Sequence, residues 1–354
     1  MKANIKSRTL TYRQAINEAL SEEMRRDPRT IIYGLDINDH KRIFGSTLGL
    51  LEEFGPERCL VTPLSEDAMV GFGLGVALAG LRPIHVHIRV DFLLLGVNQL
   101  VNMVSNFRYL SAGKLTVPIV FRAVIGRGWG QGAQHSKSLQ SLFAHIPGLK
   151  VVMPSRPADA KGLLKSSIRD NNPIIFLEHR WLYDVEGEVP TDRDFLVPLS
   201  QPYFLTRGGD LTIVATSWMT IEAVKAAEIL WRKRKIRVEV IDPRTISPLD
   251  YRLIYKSVRK TGHLVVVDYD WLNCGFSAEV ASRVQESCFG NLKSPVTRLG
   301  FAPVPCPTAR SLESKFYPNA ADIVREIERK LKISSTDLSD EELYTWENRF
   351  KGPF

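Results

Sequence analysis

The stretch Val61–Gly80, VTPLSEDAMVGFGLGVALAG, reads as a short strand, a tight turn through Pro63 and a Gly/Ala-rich helix with Glu66 at its start. Small side chains let another group approach such a helix closely. A carboxylate at this junction has two uses. It complements the positive end of the helix dipole, or, shielded from water and held rigidly, it does proton chemistry on a bound molecule. His135, in GAQHS, carries an imidazole suited to proton transfer near neutral pH, although a lone histidine in a Gly-rich loop is more often structural. His85 and His87 lie two apart, on one face of a strand, which invites a metal. No third ligand stands at an obvious spacing, and the metal reading is not favoured.

These residues need a scaffold, and the apolar pattern supplies one. Thr11 and Gln14 have capping-box spacing, and Tyr12, Ile16 and Leu20 recur every fourth residue, predicting a first helix closed by Pro28. Short β-branched runs follow: TIIYGLD, CLVTPL, RPIHVHI, VPIVFRAV, LKVVMPS and NPIIFLEH. Helix-like segments at 67–80, 97–109 and 157–169 separate most of them. This alternation predicts a parallel sheet covered on both faces. The stretch 183–202 is acidic, then Pro-bearing and without period, and reads as a linker. A second α/β series carries LTIVATS, IRVEVID, HLVVVDY and VTRLG, with helix-like stretches at 220–232, 249–258, 277–286 and 319–331. The polar end looks like a tail or partner-binding arm.

The 354 residues suit two domains. No apolar run approaches ~18 residues, which argues against a membrane-spanning helix, and MKANIKSRTL has no apolar signal core. Cys59, Cys274, Cys288 and Cys306 show no CxxC spacing, so a reducing compartment fits: the cytoplasm, or the mitochondrial matrix for a processed eukaryotic chain. The net charge of +8 raises the question of nucleic acid. The basic residues are scattered, however, except for the run from Arg232 to Arg237, which ends a helix-like segment where cations complement the dipole. No nucleic-acid role is expected.

TPLSE before a Gly/Ala helix resembles the β subunit of the decarboxylating first component of 2-oxo-acid dehydrogenases, the pyruvate dehydrogenase type. The likeness continues in order through GLRPIHVHIRVDF, GAQHSKSL, HIPGLKVVMPSRPADAKGLLKSSIRDNNPIIFLEH and EVIDPRTISPLD, over residues 8–333. The resemblance implies a pyrimidine-binding transketolase-like α/β domain over 1–190, a linker over 191–205, a transketolase C-terminal-like α/β domain over 206–334 and a polar tail over 335–354. It implies thiamine diphosphate, whose thiazolium C2 must lose a proton to its own aminopyrimidine. A carboxyl group on pyrimidine N1′ drives that tautomerisation, and Glu66 is the group in the matching position. Phe92 falls where the family stacks an aromatic ring on the pyrimidine, and Ile88 where it makes an apolar contact; plain core packing is the alternative for both. His135 matches the family's active-site histidine. The segment SIRDNN resembles the family's potassium site, with carbonyls of Ile119, Ser167, Ile168 and Asn172 joining the Asp170 carboxylate. Residue types alone favour a capped helix end there.

The chain also departs from the family. Leu35 and Val86 stand where an acid is usual, Val61 where Asp often precedes the TP, His87 where an aromatic is usual, and Arg89 where a small or neutral residue is usual. Arg89 has three possible uses: pairing at a subunit interface, which is favoured, pairing with an acidic substrate, or solvation. The GDG…NN motif that binds diphosphate and Mg2+ in the family is absent. The expected unit is therefore an α2β2 heterotetramer in which an α-type subunit carries that motif and holds the Mg2+, serving a lipoyl acyltransferase core. The rival expectations are the C-terminal half of a split transketolase and a non-catalytic scaffold or regulatory subunit.

Overall fold

The computed structural model describes residues 6–126 and 130–343, and the chain forms two compact units. The first comprises residues 1–126 and 142–199. Its parallel sheet has the order Lys150–Val152, Ile174–His179, Val120–Ile125, Arg82–His87, Thr30–Gly34, Cys59–Val61. The central strands are buried almost throughout, as their unbroken apolar runs require of a sheet covered on both faces.

Helix Tyr12–Arg26 begins with the expected capping box between Thr11 and Gln14. It packs against helix Pro157–Arg169 through charge as well as apolar contact. The fully buried Lys161 ammonium lies 2.6 Å from Glu18 and 3.1 Å from Glu22, and Lys165 lies 2.5 Å from Glu22. Multiple carboxylate partners offset the desolvation of the two ammonium groups.

The second unit comprises residues 127–141 and 200–354. Its five-stranded sheet has the order Thr297–Phe301, Leu264–Trp271, Leu211–Ala215, Val238–Asp242, Tyr203–Thr206, and the last strand is antiparallel. The segment expected to belong wholly to the first domain is thus divided, because residues 130–141 are tied to strand Leu264–Trp271. Gln140 Nε2 donates to Asp268 at 3.1 Å and Ser141 Oγ donates to Asp270 at 2.6 Å.

Three other expectations change. Part of the expected linker is a strand, Glu186–Pro190, paired antiparallel with Ser7–Thr11. It lies in a two-stranded ribbon, with Val189 buried and its two glutamates exposed. The helix expected over 97–109 is broken into a π-type turn, Gln99–Val104, and a short helix, Phe107–Leu110. The basic run after Trp231 is paired rather than merely solvated, with Arg232 bonded to Glu341 and Lys233 to Asp340 of the polar tail.

One close approach fixes the helix that bears Glu66. In helix Glu66–Leu78, a Cβ added at Gly73 would sit 2.0 Å from the Tyr33 hydroxyl and 2.6 Å from Ile119 Cδ1. That hydroxyl donates to the Met69 carbonyl at 3.1 Å. Gly73→Ala would gain about 1 kcal/mol of helix propensity, but displacing a ring held at both ends costs about 1–3 kcal/mol. The expected result in denaturant unfolding is net destabilisation, and a variant as stable as the parent would show that Tyr33 does not hold the helix.

Candidate active site

Strand Cys59–Val61 ends at the sheet edge, Thr62–Ser65 turns, and Glu66 becomes the first residue of its helix. The pocket beside it is lined by Glu66, Ile88 and Phe92, so three of the expected site residues come together. Leu35, Leu64, Met69 and Val86 make much of the remainder apolar. Phe92 reaches the pocket because strand Arg82–His87 gives way to a short helix, Val90–Leu93, that turns its half-buried ring inward. Ser65 makes no side-chain cap. The half-buried Glu66 carboxylate makes no hydrogen bond or ion pair with another described residue. A carboxylate with dipole support but no internal partner is available to a bound molecule.

His85 and His87 line the same pocket. Their rings are 2% and 5% exposed, and His87 Nε2 lies 3.3 Å from His85 Nδ1. His85 pairs in register with Tyr33 on the neighbouring strand and stacks on its ring at 4.3 Å. Burial pulls the His87 imidazole down to about 3. Burial, with the neighbouring ring second, holds His85 well below the usual histidine range. Both imidazoles are therefore neutral at pH 7. Among the described residues no cluster of three or more His, Cys, Asp or Glu is placed to hold a metal.

Of the uses expected of Arg89, solvation is overturned by burial. Its side chain is buried, and Nη1 donates to the Gly126 carbonyl at 2.9 Å, at the end of strand Val120–Ile125. It ties two strand ends together within its own unit rather than lying in solvent.

His135 belongs to the other unit, half-buried at the end of the short turn Gly132–Gln134. A Cβ at Gly132, whose φ is +63°, would meet Thr308 Oγ1 at 2.5 Å, so glycine lets the loop lie against that residue. The Asp268 carboxylate, which anchors Gln140, also accepts from Thr216 Oγ1 and Ser277 N, both at 2.9 Å. The loop is thus built onto a buried carboxylate, a feature for which the sequence offered no spacing signal.

Asp170 lies at the end of helix Pro157–Arg169. It accepts from Asn172 N at 2.8 Å, Asn172 Nδ2 at 2.7 Å and Lys150 Nζ at 2.5 Å. Burial alone would raise its pKa, but these donors outweigh burial and lower it. Of the expected oxygen set, the Ser167 carbonyl accepts from Asp170 N at 3.3 Å and the Ile119 carbonyl from Ile174 N at 2.9 Å. A carbonyl has a second lone pair to offer a cation, but the carboxylate's charge is already matched by Lys150. Ile168, whose side chain is buried, lies on the same last turn.

The Glu66 pocket is a small, largely apolar cavity of about 20 Å³. It has an unengaged carboxylate for a ring nitrogen, an aromatic face in Phe92 and an aliphatic contact in Ile88. It holds no cluster of donors for a diphosphate.

Comparison with known proteins places the chain in a family. Residues 8–185 match the transketolase pyrimidine-binding domain, and residues 203–323 match the transketolase C-terminal domain. The chain is 40% identical to the β subunit of acetoin:2,6-dichlorophenolindophenol oxidoreductase of Cupriavidus necator over 92% of its own length and 98% of that protein's. It is 39% identical to the mitochondrial pyruvate dehydrogenase E1 component subunit β of Rattus norvegicus over 92% of its own length and 91% of that protein's. A solved structure described as a split-gene transketolase in an inactive β4 tetramer shares the fold, with a TM-score of 0.75 at 22% identity over 92% of this chain and 99% of that one.

The buried imidazoles predict a stability signature. A group whose folded pKa lies below its unfolded value leaves the unfolded state binding more protons between the two, so stability is complete above about pH 6.5 and is lost as pH falls. For His87 the loss should be about 1.4 kcal/mol per pH unit between pH 6 and about 4. His87→Phe should remove that slope from the difference between variant and parent in denaturant unfolding. Parallel stability curves would mean that His87 is protonated in the folded chain.

Proposed function

We propose that this chain, which belongs to the family of the pyruvate and acetoin dehydrogenase β subunits, serves a thiamine-diphosphate-dependent decarboxylation of a 2-oxo acid together with an α-type subunit. The observation that carries the reading is the unengaged carboxylate of Glu66 in a pocket shared with Ile88 and Phe92. Bound there, thiamine diphosphate supplies the nucleophilic carbon and the electron sink for the release of CO2. Glu66 holds a proton at pyrimidine N1′ and governs the amino–imino balance of the ring. Phe92 packs on the ring and Ile88 supports it, which fixes the geometry that the proton transfer requires. His135 serves proton transfer on the acyl side or meets an incoming lipoyl group.

This chain provides half of the site. It has no GDG motif, and the Glu66 pocket holds no donors placed for a diphosphate, so an α-type subunit supplies the Mg2+ and diphosphate ligands in an α2β2 heterotetramer. The outer face of the Glu66 helix supports that assembly. Leu64 is 73% and Phe72 41% exposed, and Ala68, Gly75 and Ala79 complete an apolar, small-residue surface. A lipoyl acyltransferase core then takes the acyl group. Potassium at Asp170 is a structural addition to this reading, and it requires the Lys150 ammonium to yield part of the carboxylate.

Two experiments test the proposal. Calorimetry should show weak or no Mg2+-dependent binding of thiamine diphosphate by this chain alone and tight binding with the α-type subunit. In that assembly Glu66→Gln should leave the oligomer intact and lower turnover about 10²–10⁴-fold. Tight binding by the isolated chain, or near-normal turnover of the variant, would overturn the reading. For the cation, Asp170→Ala should cost about 1–3 kcal/mol through lost charged hydrogen bonds, and K+ should raise the parent's melting temperature above that in Na+ but not the variant's. A parent indifferent to K+ leaves Lys150 as the sole counter-charge.

A further inference from the structure

We propose that Gln140 and Asp268 are positioning residues for His135: they hold the segment that carries it in the crevice where a sheet of this topology would otherwise take a ligand. The inference rests on the role proposed for His135.

The crevice follows from the strand order. In the second unit the chain runs from Leu211–Ala215 to Val238–Asp242 on one side, and later to Leu264–Trp271 on the other. The order therefore reverses between Leu211–Ala215 and Leu264–Trp271, and a parallel sheet opens a crevice beyond the carboxyl ends of two such strands. Thr216 follows the first strand, and Asp268 lies just past Val267, the residue paired with Ala215. Asp268 Oδ1 accepts from Thr216 Oγ1 at 2.9 Å and from Gln140 Nε2 at 3.1 Å. Its Oδ2 accepts from Ser277 N at 2.9 Å, in the first turn of helix Phe276–Cys288. One carboxylate thus joins both strands, a helix start and the His135 segment. The crevice takes the chain's own residues as its occupant.

The grip on that occupant is specific. Gln140 Nε2 also donates to the Tyr269 carbonyl at 2.9 Å, and Oε1 accepts from Ser138 Oγ at 2.6 Å. Ser141 Oγ donates to Asp270 at 2.6 Å and accepts from Phe276 N at 2.8 Å. Ser136, Ser138 and Gln140 are buried, while Lys137 and Leu139 between them are half-buried. Such alternation assigns each residue to one face. At the other end Gly132 lies against Thr308. His135 stands between the two anchors, so cutting one releases the imidazole from a fixed place. A displacement of about 1 Å in a reacting group can cost about 10²-fold in rate.

The chemistry of the anchor favours positioning over plain packing. Burial raises the pKa of Asp268, and burial followed by repulsion from Asp268 raises that of Asp270 to about 7. Two adjacent buried acids are unfavourable as mere filling, and apolar side chains would close the same crevice without them. What the acids add is directional hydrogen bonding, which fixes a segment to within a few tenths of an ångström as apolar contact does not.

The test uses the assembled α–β enzyme and compares the parent with Gln140→Met, Asp268→Asn, His135→Asn and the Gln140→Met/His135→Asn double variant. Three readouts are taken: kcat with oxo acid and a lipoyl acceptor, the dissociation constant of thiamine diphosphate, and the exchange of the cofactor's C2 hydrogen with D2O without oxo acid. Gln140→Met and Asp268→Asn should each lower kcat about tenfold or more, with cofactor affinity and C2 exchange within about twofold of the parent. Because Gln140 acts through His135, adding Gln140→Met to His135→Asn should cost no more than about a further twofold. Equal losses from Gln140→Met in both backgrounds, or losses that track weakened cofactor binding or slowed C2 exchange, would assign the contact to the fold and overturn the proposal. Asp268→Asn turns an amide donor toward one of the three donors it now receives. If it fails to assemble, Gln140→Met decides alone, since it leaves Asp268 its Thr216 and Ser277 donors; a Gln140→Met chain that does not assemble overturns the proposal. If His135→Asn turns over like the parent, the role of His135 has failed. If His135→Asn is slow while Gln140→Met matches the parent, positioning alone has failed.

Discussion

The Tyr33 ring is the piece on which the first unit's chemistry depends. One of its faces stacks on His85 at 4.3 Å, Phe72 meets it edge-on at 5.4 Å, and its hydroxyl is bonded to the Met69 carbonyl where a glycine leaves room. A strand residue, an adjacent strand and the Glu66 helix are thereby fixed to one rigid group. Helix Glu66–Leu78 is apolar on nearly every side and lacks an amphipathic stripe to orient it. Its angle and rotation on the sheet must come from specific contacts, and Gly73 against Tyr33 is the closest of them. The position of the carboxylate follows from that contact, since Glu66 lies one turn before Met69.

The departures from the family then take on a common sense. Leu35 and Val86 make the pocket less acidic, and His87 adds an uncharged donor–acceptor ring beside His85. Neighbouring carboxylates would raise one another's pKa by repulsion, whereas neutral imidazoles leave Glu66 as the one acid lining the pocket. Burying two neutral rings in contact with each other costs far less than burying a charge. Arg89 is buried rather than solvated, and its Nη1 donates to the Gly126 carbonyl and joins two strand ends.

The alternation of β-branched runs and helices made both sheets legible in the sequence, and helix Pro157–Arg169 has the bounds that its pattern predicted. Glu66, Ile88 and Phe92 were legible as a set only through the family likeness, because spacing alone allows a dipole-complementing glutamate and two core residues. The pairing of Ser7–Thr11 with Glu186–Pro190 was not legible, since the partners are far apart in sequence. Nor was the attachment of residues 130–141 to the second unit, which depends on Asp268 and Asp270, two acids that read as ordinary strand-end residues. The HVH pattern was visible, but with no third ligand at an obvious spacing it named no chemistry. The register that stacks His85 on Tyr33, and the burial that neutralises both rings, emerge only in the fold.

The incompleteness of the site is itself a physical consequence of how this chain spends its residues. Glycine on the outer face of a helix gives up backbone entropy, and an exposed apolar face gains nothing from folding alone. Both become favourable when another chain packs closely against that face. Small side chains permit the approach, and the area removed from water returns roughly 25 cal/mol per Å². The same approach would exclude water from Glu66, Ile88 and Phe92, which a carboxyl group must have around it to act on a ring nitrogen rather than on solvent. In the proposed assembly, a contact that covers the helix's exposed face would also exclude water from the site at its first turn, so that assembly and activation of the carboxylate would be one event.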